Sequence, residues 1–238
     1  MNILILGYGK MGKAIEELAV ERGHIVKHKI NINNTNALKF IDPKEIDVAI
    51  EFSEPSAAYD NVKYCVEKGI PVVSGTTGWL DKKTEIDAIC LKNKGAFFYA
   101  SNFSLGVNLF FHLNKMLARL MNRYPEYKIS LTEIHHTEKK DAPSGTAITL
   151  AEGIIDEIPS KKSWVNELNE MEELLPIVSL RQEEVPGTHL VSYASEVDDI
   201  EIRHVAHSRA GFALGAVLVA EWLADKSGIF GMDDFLKF

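Results

Sequence analysis

The chain has 238 residues, with 26 Lys and Arg against 34 Asp and Glu for a formal charge of −8, and 46% of it is hydrophobic. This is an ordinary globular mixture, long enough for one large core or two smaller ones at roughly 150 residues per domain. The acidic balance excludes a phosphate-backbone binder, and the two cysteines, Cys65 and Cys90, exclude a disulfide framework and have no zinc-ligand spacing, so neither a nucleic-acid partner nor a metal is expected.

Residues 1–6, Met-Asn-Ile-Leu-Ile-Leu, lack the basic start and small-residue cleavage site of an exported leader. Ile3–Leu6 is a continuous apolar run, followed by a helical pattern from Lys10 to Glu21. Further β-rich runs are Ile25–Ile30, Asp47–Phe52, Pro71–Ser74 and Ala96–Ala100. A helix from Ser56 to Lys68 is expected to end at Gly69, where glycine takes the left-handed cap. Apolar strands alternating with helices predict a parallel sheet covered on both faces. The pattern then changes: a helix from Leu105 to Asn122, a strand at Lys128–His135 and a helix over 144–158 come next. Three closely spaced strands follow at Val178–Glu184, Leu190–Ala194 and Ile200–Ala206, as suits an antiparallel or mixed sheet. The last helix, Gly211–Ala224, carries the most apolar stretch, which Glu221 interrupts and which is too short to span a bilayer. A soluble, cytoplasmic protein of two domains is expected, with no membrane partner. The first domain covers 1–103 with 209–238 returning to it, and the second covers 104–208.

Gly7-Tyr8-Gly9-Lys10-Met11-Gly12 places G-x-G-x-x-G directly between a strand and a helix. The first glycine permits the tight turn, the second admits a pyrophosphate to the backbone N–H groups, and the third lets helix and strand pack closely. The pattern predicts a dinucleotide site in a Rossmann-type domain. The acidic ribose ligand expected about 20 residues on is missing, because the second strand ends Lys27-His28-Lys29-Ile30-Asn31. Without that carboxylate a 2′-phosphate is not repelled, so NADPH is expected to be accepted at least as well as NADH, with Lys29 and Asn31 at the adenosine end. The alternative is that these lysines form a solvated edge.

The second informative stretch runs from Glu133 to Ala147: Glu-Ile-His-His-Thr-Glu-Lys-Lys-Asp-Ala-Pro-Ser-Gly-Thr-Ala. It leaves a strand through a polar loop and starts a helix near Ser144. Ser144, Gly145 and Thr146 offer hydroxyls and unpaired N–H groups that suit a carboxylate or phosphate. Lys139 and the pair His135-His136 add cations and proton-transfer groups, although a structural histidine pair and a solvated Lys139-Lys140 face are the plain alternatives. Adjacent strand residues point to opposite faces, so only one histidine can face a site unless the strand has ended.

This stretch resembles the signature of the 4-hydroxy-tetrahydrodipicolinate (dihydrodipicolinate) reductase family. The likeness extends to Gly75-Thr76-Thr77-Gly78, Asn102–Asn108, Arg181 with Gly187-Thr188-His189, and His207-Ser208-Arg209. The resemblance implies a Rossmann-type parallel-sheet domain plus an α+β substrate and oligomerisation domain, whose mixed sheet builds a homotetramer. It implies His135 and Lys139 as acid/base and proton donor, with His136, Ser144, Gly145 and Thr146 holding a small cyclic dicarboxylate. It further implies Gly75, Thr76, Thr77, Ala100, Ser101, Asn102 and Phe103 along the nicotinamide end of the cofactor site. The chain departs from the family pattern at Asn31 and Glu54, both in the adenosine half. Two rivals stay open: another Rossmann reductase of a small acid or imine, and a non-catalytic NAD(P)-sensing module.

Overall fold

The computed structural model describes residues 1–208 and 210–238; Arg209, one of the resemblance positions, lies outside the described residues. The chain divides into two compact units, one of Met1–Leu105 with Ala210–Phe238 and the other of the intervening residues from Gly106.

The first unit is a six-stranded sheet in the order β11-β5-β4-β3-β1-β2. Its strands are β1 (Asn2–Leu6), β2 (Ile25–Ile30), β3 (Val48–Glu51), β4 (Val72–Ser74), β5 (Ala96–Tyr99) and β11 (Gly228–Phe230), and every pairing is parallel. The central strands are apolar throughout because helices cover both faces. Ile3, Ile5, Ile50 and Phe98 pack against α1 (Lys10–Glu21) and α6 (Ala210–Leu223). On the other face Leu4, Leu6, Ala49 and Phe97 pack with residues of α2 (Pro55–Lys68) and α3 (Lys83–Lys92). Gly69 closes α2 at φ 71, as its missing Cβ allows. The β11 strand and the short α7 (Met232–Leu236) have no counterpart in the sequence reading. A three-residue strand is too short for periodicity to reveal.

The second unit contains α4 (Leu105–Met121, whose first residue belongs to the first unit) and α5 (Gly145–Glu157). These helices cover one face of a sheet ordered β10-β9-β6-β8-β7. Its strands are β6 (Lys128–His135), β7 (Ser163–Val165), β8 (Leu174–Arg181), β9 (Gly187–Ala194) and β10 (Asp199–Ala206). The sheet is mixed: β6 runs parallel to β8 and antiparallel to β9. The β8 strand begins at Leu174, ahead of the expected Val178, and passes through Pro176. That residue pairs with Val165 of β7, and the β6 ladder starts one residue later at Ile177, so the proline sits where the strand changes partner. No helix among the described residues is long and apolar enough to cross a membrane.

Candidate active site

The first unit places its glycine turn where its strand order reverses. The glycine turn follows β1 and the segment Phe52-Ser53 follows the adjacent β3, the crevice in which open α/β sheets bind ligands. Gly7 turns the chain at φ +95, and a methyl there would lie 2.1 Å from the Phe52 carbonyl oxygen. A methyl on Gly12 would lie 2.2 Å from the carbonyl oxygen of Gly7, so helix and turn are in backbone contact. A methyl on Gly9 would meet nothing within 4 Å among the described residues. Gly9 is the N-cap of α1, with no side-chain cap and no acid in the first turn, so the first-turn N–H groups stay open.

A 370 Å³ cleft is lined by Gly7, Tyr8, Gly9 and Asn31, and a 260 Å³ one by Met11, Gly75, Thr76 and Thr77; Phe52 and Ser53 border both. These glycines and open donors fit the pyrophosphate of a dinucleotide.

Several expected cofactor residues are placed differently. Lys29 does not bring a free cation to the cleft: its Nζ lies 2.9 Å from Glu16 Oε1 and 5.0 Å above the Tyr8 ring. The Tyr8 hydroxyl donates to the same glutamate. Lys10 is exposed and lines neither cleft. Ala100 and Phe103 are core residues at 8% and 1% exposure, the Phe103 ring meeting Phe52 edge-on at 5.3 Å. Phe103 thus backs the Phe52 ring that borders both clefts. Ser101 is exposed, and Asn102 Oδ1 accepts the Ser104 N–H.

The Thr76 hydroxyl is engaged internally, donating to Glu51 at 2.9 Å and accepting from the Ser53 N–H. Glu51, unnamed in the sequence reading, is fully buried and also accepts from Ser74 at 2.7 Å and from the Ser53 N–H at 3.0 Å. It ties the ends of β3 and β4 together. An acid closing the otherwise apolar run Val48–Glu51 was its available signal.

In the second unit, alternation along β6 turns Ile129, Leu131, Glu133 and His135 toward the helices. The inner face is therefore apolar at one end and polar at the other. The strand ends at His135, and His136 opens a turn in which its carbonyl accepts the Lys139 N–H at 3.1 Å. His135 is 8% exposed, while His136 is half-buried.

Glu133, fully buried, accepts the Ser144 N–H at 3.0 Å. His135 Nδ1 lies 3.3 Å and His189 Nε2 3.9 Å from the same carboxylate oxygen, and Arg181 Nη1 is 3.5 Å from the other. Burial pushes this carboxyl up, but interactions with His135, Ser144 and Ser179 outweigh it and hold it well below the usual range. Burial, reinforced by His135, pushes His189 down to about 4. The donor atoms of Glu133, His135 and His189 lie within 4.8 Å of one another, close enough to surround a cation. The Arg181 guanidinium already supplies positive charge to that carboxylate.

Ser144 is placed differently from the sequence expectation. It is 3% exposed; its hydroxyl caps α5 by accepting the Ala147 N–H and pairs with His189 at 3.1 Å. It faces inward, leaving Gly145 and Thr146, exposed and half-buried, as the outer part of the helix start. Lys139 does not stand among cations alone, since its Nζ lies 2.8 Å from both carboxylate oxygens of Asp141. Arg181 straps this loop through the Asp141 carbonyl at 2.7 Å and the Lys139 carbonyl at 3.4 Å.

Residues 1–103 match the dihydrodipicolinate reductase N-terminal family, and residues 106–236 match its C-terminal family. The chain belongs to the dihydrodipicolinate reductase family. A 4-hydroxy-tetrahydrodipicolinate reductase of Christiangramia forsetii is 52% identical over 240 residues, covering 100% of this chain and 98% of that one. One from Archaeoglobus fulgidus is 34% identical over 262 residues, covering 100% of both. The fold is shared with the dipicolinate-bound dihydrodipicolinate reductase of Paenisporosarcina sp. TG-14, at TM-score 0.76, 22% identity and 97% coverage of each chain. An amine dehydrogenase from Mycobacterium smegmatis shares it less closely, at TM-score 0.61 and 9% identity over 97% of this chain and 94% of that one. The architecture alone thus extends beyond this family, and the family match separates the chain from such neighbours.

Proposed function

We propose that the protein reduces 4-hydroxy-tetrahydrodipicolinate to tetrahydrodipicolinate with loss of water, in the diaminopimelate route to lysine. The observation that carries this reading is the segment His135–Thr146. It sets a buried histidine, a lysine and an uncapped pair of helix N–H groups on one loop, in a chain whose other unit opens with the glycine turn. A small cyclic dicarboxylate needs those groups: Gly145 and Thr146 N–H for one carboxylate, and His136 with Lys139 for the other. Ser144 supports this cradle from below rather than touching the ligand.

A nicotinamide cofactor, when bound, supplies the hydride. Gly7, Gly9 and Gly12 with the start of α1 would hold its pyrophosphate, while Tyr8 and Asn31 border the adenosine half. Met11, Gly75 and Thr77 border the nicotinamide half. Reduction of the conjugated C=C–C=N system leaves an electron pair on the substrate, which Lys139 quenches by giving up a proton, with His135 beside it. Before substrate arrives, Asp141 holds the Lys139 ammonium, and the incoming carboxylate competes for it.

The adenosine end has no acid at Asn31 to repel a 2′-phosphate and no free Lys29 to attract one, so both NADH and NADPH serve. The two free, buried cysteines suit the reducing cytoplasm. We also propose a homotetramer assembled through the outer face of the second sheet, which carries the half-buried Ile134, Val178 and Leu190 and the exposed Leu180 and Val205. Pyruvate condensed in situ with aspartate semialdehyde should drive oxidation of both NADH and NADPH, with KM values within about tenfold. No oxidation of either cofactor refutes the activity, and a strict preference refutes the shared use.

A further inference from the structure

The cluster at the end of β6 holds a buried carboxylate to which the proposed reaction assigns no task. We propose that Glu133 is a positioning residue: it keeps His135 in the tautomer with Nδ1 protonated and Nε2 unprotonated, and through Arg181 it holds the loop that carries Lys139. This rests on the reading of His135 and Lys139 given above.

The charges and contacts around His135 support it. Glu133 comes from its own strand two residues back, on the same face, with an oxygen 3.3 Å from Nδ1. Among the described residues that nitrogen has no aligned hydrogen bond, as is common for catalytic contacts before substrate tightens them. Beneath the ring, His189 of β9 stands edge-on at 5.1 Å and stays neutral at working pH, so it adds no competing charge. A methyl at Gly187 would lie 3.1 Å from His135 Nε2, so glycine at this position leaves that nitrogen uncrowded. Arg181 of β8 lies opposite His135 in the register and joins the far carboxylate oxygen to the carbonyls of Lys139 and Asp141. On the loop that follows, the Lys139 ammonium is paired with Asp141 at 2.8 Å.

A structural role alone needs less. Accepting the Ser144 N–H would be met by a neutral amide at a lower desolvation cost than a carboxylate. An acceptor charge becomes useful when it faces an imidazole N–H on one side and a guanidinium on the other. A carboxylate of this kind fixes which ring nitrogen carries the proton.

The test is Glu133→Gln, which keeps the shape and an acceptor for Ser144 but can present its amide N–H to Nδ1. Nitrogen-15 NMR of the free protein, with the His135 ring assigned by loss of its signals in His135→Asn, should show the Nδ1–H tautomer in the wild type. In Glu133→Gln it should show mixed or reversed tautomers. In the coupled assay kcat should fall about a hundredfold or more, the scale of a lost general acid–base contribution, with KM for NADH unchanged within about twofold. Glu133→Asp, with the charge restored, should recover part of kcat. A wild-type His135 in the Nε2–H tautomer overturns the proposal even if no Gln variant folds. So does a folded Gln variant that keeps kcat within about threefold. An inactive wild type with the Nδ1–H tautomer would sink the enzymatic reading while leaving the Glu133–His135 coupling intact.

Discussion

At the scale of single residues, the glycines of the first turn separate into two kinds. Gly9 has φ −90, which alanine adopts without strain, and open space beyond it. Gly9→Ala should therefore unfold at the wild-type urea midpoint but bind NADH at least about tenfold more weakly in a fluorescence titration, because the methyl occupies the approach of the pyrophosphate. Gly12→Ala drives a methyl against the Gly7 carbonyl and should lose about 1–3 kcal/mol of stability, the range of core overpacking. Lys139→Ala should cut kcat about a hundredfold with the fold intact by circular dichroism, and a variant of undiminished kcat would remove this residue from the chemistry.

His189 links stability to pH. Its folded value near 4 lies below the unfolded value of about 6.5, so between these limits the unfolded chain binds the extra proton. The contribution is complete above about pH 6.5 and is lost as pH falls toward 4, roughly 3 kcal/mol in all at 1.36 kcal/mol per unit. The urea midpoint of His189→Gln should thus fall less between pH 7.5 and 4.5 than that of the wild type, and equal drops would contradict the assignment.

At the scale of elements, packing overrides helix propensity at α6. Gly215 sits mid-helix, where alanine would ordinarily gain about 1 kcal/mol. A methyl there would lie 1.8 Å from the Phe103 carbonyl oxygen, so the helix approaches the backbone after β5 as closely as a missing side chain permits. Gly215→Ala should therefore lower the unfolding free energy by at least about 2 kcal/mol in urea titration, against the direction of its propensity. Phe103, which the family resemblance puts along the nicotinamide end, is buried beside this contact at 1% exposure.

At the scale of the whole molecule, the helices of the second unit cover one face of its sheet. Its outer face carries Leu180 at 46% and Val205 at 40% exposure, and apolar sheet faces of that kind are covered by another layer in stable assemblies. On α4, Leu109, Leu113, Met116 and Leu120 form a second exposed apolar stripe at helical spacing. Light scattering on the wild type should give the mass of four chains. Leu180→Asp, which leaves the inner face untouched, should lower that mass while retaining secondary structure. A wild-type monomer would remove the assembly from the proposal.

The amino-acid sequence by itself determined whatever depends on neighbours along the chain. The strand–glycine turn–helix unit, the left-handed stop at Gly69, the alternation of β6 and the polar loop after it are all local, and so they were legible. The family likeness came from the same short segments. Tertiary structure alone decided which side chains share a site. Ser144 and His189 are 45 residues apart, and the register of β6 with β8 and β9 brings Glu133, Arg181 and His189 together with no local pattern to announce it. Likewise Lys29 looked like a free cation until the fold set Glu16 beside it, and Asp141 took up Lys139. Periodicity reports which face a residue occupies, whereas charge compensation and hydrogen-bond satisfaction depend on what stands opposite, and sheet register settles that across distances no sequence window spans.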